Sequence, residues 1–255
     1  MKFHLKILKS ENSKYMKKSR RNFIKKTLLG TTSAAAGILS PNFMIGKDIL
    51  GANDRINCAI AGVRSRGKAL AAAIHLQKNA KVLYNCDVDD VIIEEHNMWS
   101  EKNMGYLPKV EKDFRKLLEE KDLDAIFIAT PEHWHTPMTI MAMQAGKHVY
   151  IEKPCSHNAH ENKLLVAAQK KYGLKVQMGN QQRSAITSIN AINDIRNGVI
   201  GEVYKGEAYY SNNRGSIGIG KQVAVPKTLD WELWQGPAPR KAYMDNIHPY
   251  NWALV

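Results

Sequence analysis

One pattern constrains this chain more than any other. Short apolar runs recur, each closes on a polar or glycine-bearing turn, and helix-period sequence follows most of the turns. Arg55–Ala61 closes on Gly62, Lys81–Cys86 on Asp87, and Asp124–Ala129 on Thr130-Pro131. His148–Ile151 then closes on Glu152-Lys153-Pro154, and Lys175–Met178 on Gly179-Asn180. Helical patterns are expected from Ala69 to Leu76, over Lys112–Glu120, from Thr136 to Ala145 with Gly146 as stop, and over Ala159–Lys171. Alternation at this spacing implies a doubly wound parallel α/β sheet. Runs that are short and apolar throughout suit strands buried on both faces. Ligands in such sheets lie beyond the strand carboxyl ends, so all five turns share one functional edge.

The first turn reads Gly62-Val63-Arg64-Ser65-Arg66-Gly67. Strand, tight turn and helix are the context that a dinucleotide fingerprint requires. Gly62 and Gly67 fit its first and last glycines. Arg64 stands at the middle position, where glycine normally lets backbone approach a pyrophosphate. A guanidinium there can contact phosphate itself. Taken alone, the turn also fits an ordinary strand–helix junction. Asp87 lies twenty residues after Gly67, where an acid receives the adenosine ribose hydroxyls. A carboxylate repels a 2′-phosphate, which favours NAD over NADP. The alternatives are a helix cap or turn aspartate, with Asp89 and Asp90 close by.

Charge separates a leader from the body. The net charge is +13, and residues 1–47 hold 11 Lys+Arg against Glu11 alone. The remaining residues hold 26 Lys+Arg and 23 Asp+Glu. A nucleic-acid binder carries its excess charge on the folded body, so no nucleic-acid partner is expected. Ser19-Arg20-Arg21-Asn22-Phe23-Ile24-Lys25 precedes a mildly apolar stretch from Thr27 to Leu39 and then Pro41. This matches a twin-arginine export signal, recognised by the twin-arginine translocation machinery and leading to the periplasm. The competing reading is a basic amphipathic arm on a cytoplasmic protein. No clean A-x-A site is present, so cleavage near Ala34–Ala36 and retention as a membrane tether both fit. Met16 heads a more typical leader than Met1. That export route carries folded proteins with a cofactor already installed.

Ala129-Thr130-Pro131-x-His133-Trp134-His135 and Gly146-Lys147-His148-Val149-Tyr150-x-Glu152-Lys153-Pro154 resemble the signature of the Gfo/Idh/MocA oxidoreductases. Gly179-Asn180-Gln181-x-Arg183, Asn197-Gly198-Val199-Ile200-Gly201 and Leu229-Asp230-Trp231-x-x-Trp234-x-Gly236-Pro237 continue the likeness, which runs from Asn53 to Trp252. The resemblance implies an NAD(P)-binding Rossmann domain over 53–179, after a signal and linker over 1–50. An incomplete α/β substrate domain with an open sheet is then expected over 180–255. It implies hydride transfer on a sugar, polyol or related hydroxyl compound, with NAD as cofactor, in relatives that form homo-oligomers. Lys153 falls on the catalytic lysine, and its bond to Pro154 where the family often has a cis peptide. Glu152 falls beside the nicotinamide ribose. Ala129, Thr130, Pro131, Trp134 and His135 fall on the cofactor-lining loop, and Asn180 near the nicotinamide. Arg183 falls at the substrate mouth, and Tyr210 and Asn213 are candidate pocket residues. Partly desolvated beside a cationic ring, Lys153 would bind the substrate hydroxyl and help move its proton. A surface lysine in a strand–helix loop is the plain alternative.

Further expectations concern the second half. Ile186, Ile189, Ile192 and Ile195 give Thr187–Arg196 one apolar stripe, expected to pack in a core. Val203–Tyr210 reads as the first strand of the second domain, and Asp230–Pro239 as a structured loop. In the resembled family a D-x-G-x-H segment supplies an acid–base pair; Asp245-x-x-His248 has the wrong spacing. The expectation is a truncated copy with low solubility and little turnover. His133-x-His135 and His157-x-x-His160 lack converging acids or cysteines, so no metal is expected. Three cysteines do not make a disulfide framework, although Cys58 and Cys86 end neighbouring strands and could pair after export. Three functions compete: an NAD-dependent oxidoreductase, an NAD-using glycoside hydrolase of the same superfamily, and a non-catalytic nucleotide-binding remnant.

Overall fold

The protein is described by a computed structural model covering residues 55–211, 215–248 and 251. The leader and Asn213 lie outside the described residues. Six strands form one sheet: β1 (Ile56–Ala61), β2 (Ala80–Cys86), β3 (Lys109–Glu111), β4 (Ala125–Ile128), β5 (His148–Glu152) and β6 (Val176–Gly179). Their order is β3-β2-β1-β4-β5-β6, and every pairing is parallel. The chain turns outward in opposite directions from β1 and β4, which places the switch point between Gly62 and Ala129. That crevice is where open α/β sheets bind ligands.

Helices cover both faces. On one lie α1 (Ser65–His75) and α2 (Asp90–Met104), whose Leu70, Ala71, Ile74, Ile92 and Met104 pack with Cys58, Ile60 and Val82. On the other lie α3 (Phe114–Leu117), α4 (Glu132–Gln144) and α5 (Ala159–Tyr172), packed on Ala59, Ile126, Ile128 and Ile151. All four residues of β4 are buried, as its uninterrupted apolar sequence requires. Among the described residues no helix is long and apolar enough to cross a membrane.

Several boundaries differ from the sequence reading. The helix expected over Lys112–Glu120 is the single turn α3, capped by the Asp113 carboxylate accepting from Arg115 N–H, and Lys109–Glu111 before it forms an edge strand. The helix expected from Thr136 begins at Glu132, so His133, Trp134 and His135 are helical rather than loop residues. Helix α2 was not foreseen; its buried stripe runs through the polar His96 and Ser100. The Cys58–Cys86 pairing is excluded by register. Cys58 faces Val82 and Cys86 faces Ala61, and the two side chains join cores on opposite faces. Both are free, and burial pushes the Cys58 thiol up to about 12.

After β6 come a 3-10 turn (Gln181–Ser184), α6 (Ile186–Arg196) and the short α7 (Trp231–Gln235). The isoleucine stripe of α6 is not core: Ile186 is 67% and Ile192 48% exposed. Val203–Tyr210 forms no strand, and no other described segment pairs with it there, which a strand needs. The expected loop over Asp230–Pro239 instead contains α7, capped by the Asp230 carboxylate accepting from Leu233 N–H.

Candidate functional site

The site grows from the β1 turn. Gly62 N–H donates to the Cys86 carbonyl at 2.8 Å, and Ala129 N–H to the Ala61 carbonyl at 2.8 Å. The carboxyl ends of β2, β1 and β4 are thereby tied together. Gly62 has φ +83°, and a Cβ there would stand 2.6 Å from the Ala129 oxygen. A Cβ on Gly67 would stand 2.1 Å from the Gly62 oxygen, so this glycine lets α1 close onto the turn. Arg64 sits at φ −68°, which any residue adopts, so the turn forms without glycine at the fingerprint's middle position. Arg64 caps α1 with no side-chain hydrogen bond, and the first turn of α1 holds no acid. Its leading N–H groups remain available to an anion.

Asp87 follows β2. Its Oδ2 accepts from Val63 N–H at 2.9 Å, and Oδ1 from Val88 at 2.8 Å and Asp89 at 3.3 Å. Burial pushes its pKa above the ordinary carboxylate range, opposed by those three N–H groups. A carboxylate offers about four acceptor sites, so it retains capacity for a hydroxyl donor.

Glu152, 4% exposed at the end of β5, is gripped from two sides. Arg66 Nε donates to its Oε1 at 2.6 Å, and Gln181 Nε2 to Oε1 and Oε2 at 2.8 and 3.0 Å. Arg66 thus links the glycine turn to the Glu152-Lys153-Pro154 turn. Arg66 is over one-third exposed but Glu152 is buried, so Arg66→Met, which leaves that carboxylate without its cation, is expected to cost about 1–3 kcal/mol. Urea denaturation of both forms measures this. The Lys153–Pro154 peptide is cis. Behind it, His135 Nδ1 donates to the Pro154 carbonyl at 2.5 Å, and Nε2 lies 2.8 Å from the Thr130 carbonyl. His135 is buried, so it fastens two turns to each other from below.

A cavity of about 210 Å³ opens at this edge. Its wall includes Gly62, Arg64, Ser65, Arg66, Gly67 and Asp87. Ala129, Thr130, Pro131 and Trp134 complete the part anticipated from sequence. His135 and Glu152 stand behind the wall as supports. Lys153 is exposed and outside the cavity, so the expected partial desolvation is not provided by the described residues. Asn180 and Arg183 are exposed on the 3-10 turn side, and Tyr210 is 87% exposed; none lines the cavity. Sequence reading missed Lys112, Phe114 and Arg115 beyond β3, and Leu233, Trp234 and His248 from the distant segment. The tryptophan-rich stretch around 231–234 was the only signal for the last group.

No group of His, Cys, Asp and Glu suited to a metal occurs among the described residues. His133 and His135 are engaged with carbonyls instead.

A parallel sheet with strand order 3-2-1-4-5-6, a glycine turn at its switch point and an acid closing β2 define a dinucleotide-binding Rossmann domain. Residues 56–180 match the model of the Gfo/Idh/MocA oxidoreductase family, with its NAD-binding Rossmann fold. A glycosyl hydrolase family 109 protein from Shewanella sp. (strain ANA-3) is 29% identical over 185 residues, 71% of this chain and 40% of the relative. A family 109 protein from Shewanella baltica (strain OS185) is 26% identical over 208 residues, 75% of this chain and 45% of the relative. The chain therefore spans less than half the length of these relatives. Scyllo-inositol dehydrogenase from Lactobacillus casei, solved with NAD(H) and scyllo-inositol, superposes with TM-score 0.52 at 27% identity, covering 58% of this chain and 43% of that one. Myo-inositol 2-dehydrogenase from Lactobacillus plantarum gives TM-score 0.53 at 26% identity, with the same coverage.

Proposed function

We propose that this chain is part of an NAD-linked oxidoreductase acting on a carbinol carbon of a sugar or cyclic polyol. The observation that carries the reading is the shared edge. A nucleotide cavity walled by the glycine turn, Asp87 and Thr130-Pro131 lies one strand from an anchored Glu152 and an exposed Lys153. The inositol dehydrogenases, similar in fold, support the substrate class.

The residues present suit NAD. Free N–H groups of α1 would hold the diphosphate, with Arg64 beside them. Asp87 would accept from ribose hydroxyls. Bound NAD supplies the hydride acceptor. Oxidation of a secondary alcohol breaks one C–H bond with its electron pair and one O–H bond, whose proton needs a separate acceptor. Lys153 Nζ, in its amine form, would take that proton while holding the hydroxyl in place. Glu152, fixed by Arg66 and Gln181, keeps the turn that carries Lys153 in position.

The family 109 relatives favour a second reading: a glycosidase that oxidises a sugar carbon transiently, eliminates the aglycone and restores its cofactor. The twin-arginine leader suits either enzyme, since folded export would carry NAD into a periplasm that holds no free pool.

Purified full-length chain is expected to release about one NAD per chain on heat denaturation. A chain that releases none and takes none up overturns the proposal. NADH formation on cyclic polyols supports the dehydrogenase, whereas aryl alcohol release from aryl glycosides without net NADH supports the glycosidase.

A further inference from the structure

Leu233, Trp234 and His248 share one cavity wall with Gly62, Asp87 and Thr130, although they lie far along the chain. The segment that carries them is fastened to the sheet edge at three places. Beside β2, Asp90 N–H donates to the Thr228 carbonyl and Asp230 N–H to the Val88 carbonyl, both at 2.9 Å. Asp89 and Leu229 form an antiparallel bridge between them. Beside β4, Trp134 Nε1 donates to the Leu233 and Trp234 carbonyls at 3.0 and 3.2 Å. His133 Nε2 adds a bond to the Trp234 carbonyl at 2.9 Å. The third fastening is a hydrogen bond, His248 Nε2 to Asp89 Oδ2 at 3.0 Å, with side chains only 11% and 10% exposed.

The segment is stiff in its own right. Trp231 stacks on Trp234 at 4.6 Å and meets Tyr243 edge-on at 5.1 Å. Gly236 presses so closely on Trp134 that a Cβ would stand 2.1 Å from the indole. Asp89 is held as well, since its other oxygen caps α2 through Val91 N–H at 3.0 Å.

We propose that Pro226–His248 is a strap that closes the adenosine side of the nucleotide cavity, with Asp89–His248 as the latch that slows NAD exchange. The inference rests on the NAD reading above. Asp87 marks the ribose side of the cavity, and the strap bonds to Val88, Asp89 and Asp90, the three residues that follow it. A nucleotide between Asp87 and Trp134 is covered by Leu233 and Trp234. It leaves freely only when the strap parts from the edge. The strap obstructs entry as well as exit, so it slows both rates more than it changes affinity. An enzyme carried to a compartment without free NAD would need such retention.

The test uses full-length chain loaded with NADH and chased with excess NAD⁺, following energy transfer from tryptophan to NADH. His248→Ala is expected to release NADH roughly tenfold faster than wild type, the loss of one charge-assisted bond. His248→Gln, which keeps a neutral donor, should fall between them. The nucleotide-free melting temperatures of the variants should stay near that of wild type. If His248→Ala does not fold, His248→Gln decides alone. Equal release rates overturn the strap and leave the NAD reading standing. A wild type that takes up no NADH overturns both.

Discussion

Gly62→Ala is expected to destabilise the domain by about 4 kcal/mol, the sum of two separate costs. At φ +83° an alanine occupies the left-handed region, at a cost of about 1–3 kcal/mol. Its Cβ would also stand 2.6 Å from the Ala129 oxygen and 2.8 Å from Thr130 N. Those atoms are backbone at the switch point, pinned by the Ala129 N–H bond to Ala61 at 2.8 Å, so they cannot yield without parting β1 from β4. Overpacking of that kind adds about 1–3 kcal/mol. For a body of this size the melting temperature should fall by roughly 8–16 °C. Gly105→Ala is the control: its φ is +77°, but nothing lies within 4 Å of the added Cβ. It should lose only the conformational part. Equal losses at the two positions would show that the close approach at Gly62 carries no energy.

The same turn shows what the sequence conveyed and what it hid. The strand–turn–helix order, Gly62, Gly67 and Asp87 were legible because each meets a local backbone or ligand demand at a fixed spacing. Arg64 looked like a defect by the fingerprint, yet its φ of −68° asks for no glycine. Spacing shows which residue departs from a pattern, not whether the backbone there needs the pattern. Helix α2 was hidden for a different reason. Its buried face includes His96 and Ser100 between Ile92 and Met104, so an apolar period was never visible. The α6 stripe failed in the opposite sense: Ile186, Ile189, Ile192 and Ile195 have the right period, but burial depends on a partner surface that periodicity does not supply. The strap residues were illegible because long-range docking set their place. Nothing local to Trp234 or His248 records that Trp134 and Asp89 receive them.

Acidification should weaken the fold, with His96 as the largest single contributor. The ring is fully buried on α2, and neither nitrogen has a hydrogen-bond partner among the described residues. Burial is the main cause and pushes its pKa down from 6.5 to about 4, and the positive charge of Lys68 acts in the same direction. Between those values the unfolded chain binds a proton that the folded chain refuses. The stabilisation is therefore complete above about pH 6.5 and is lost as pH falls toward about 4, a total near 3 kcal/mol. His133 and His148 are also pushed down by burial and act in the same direction. Asp87 is pushed up by burial and opposes them at the acid end of the window, where carboxylates begin to titrate. Urea midpoints at about pH 7, 6 and 5 should decline steadily in the wild type. His96→Leu removes the titrating ring whatever it does to absolute stability, so its midpoints should decline by about half as much or less across the same range. Parallel declines in the two proteins would mean that the fold admits the imidazolium, and that His96 has an unseen acceptor beneath the nucleotide turn.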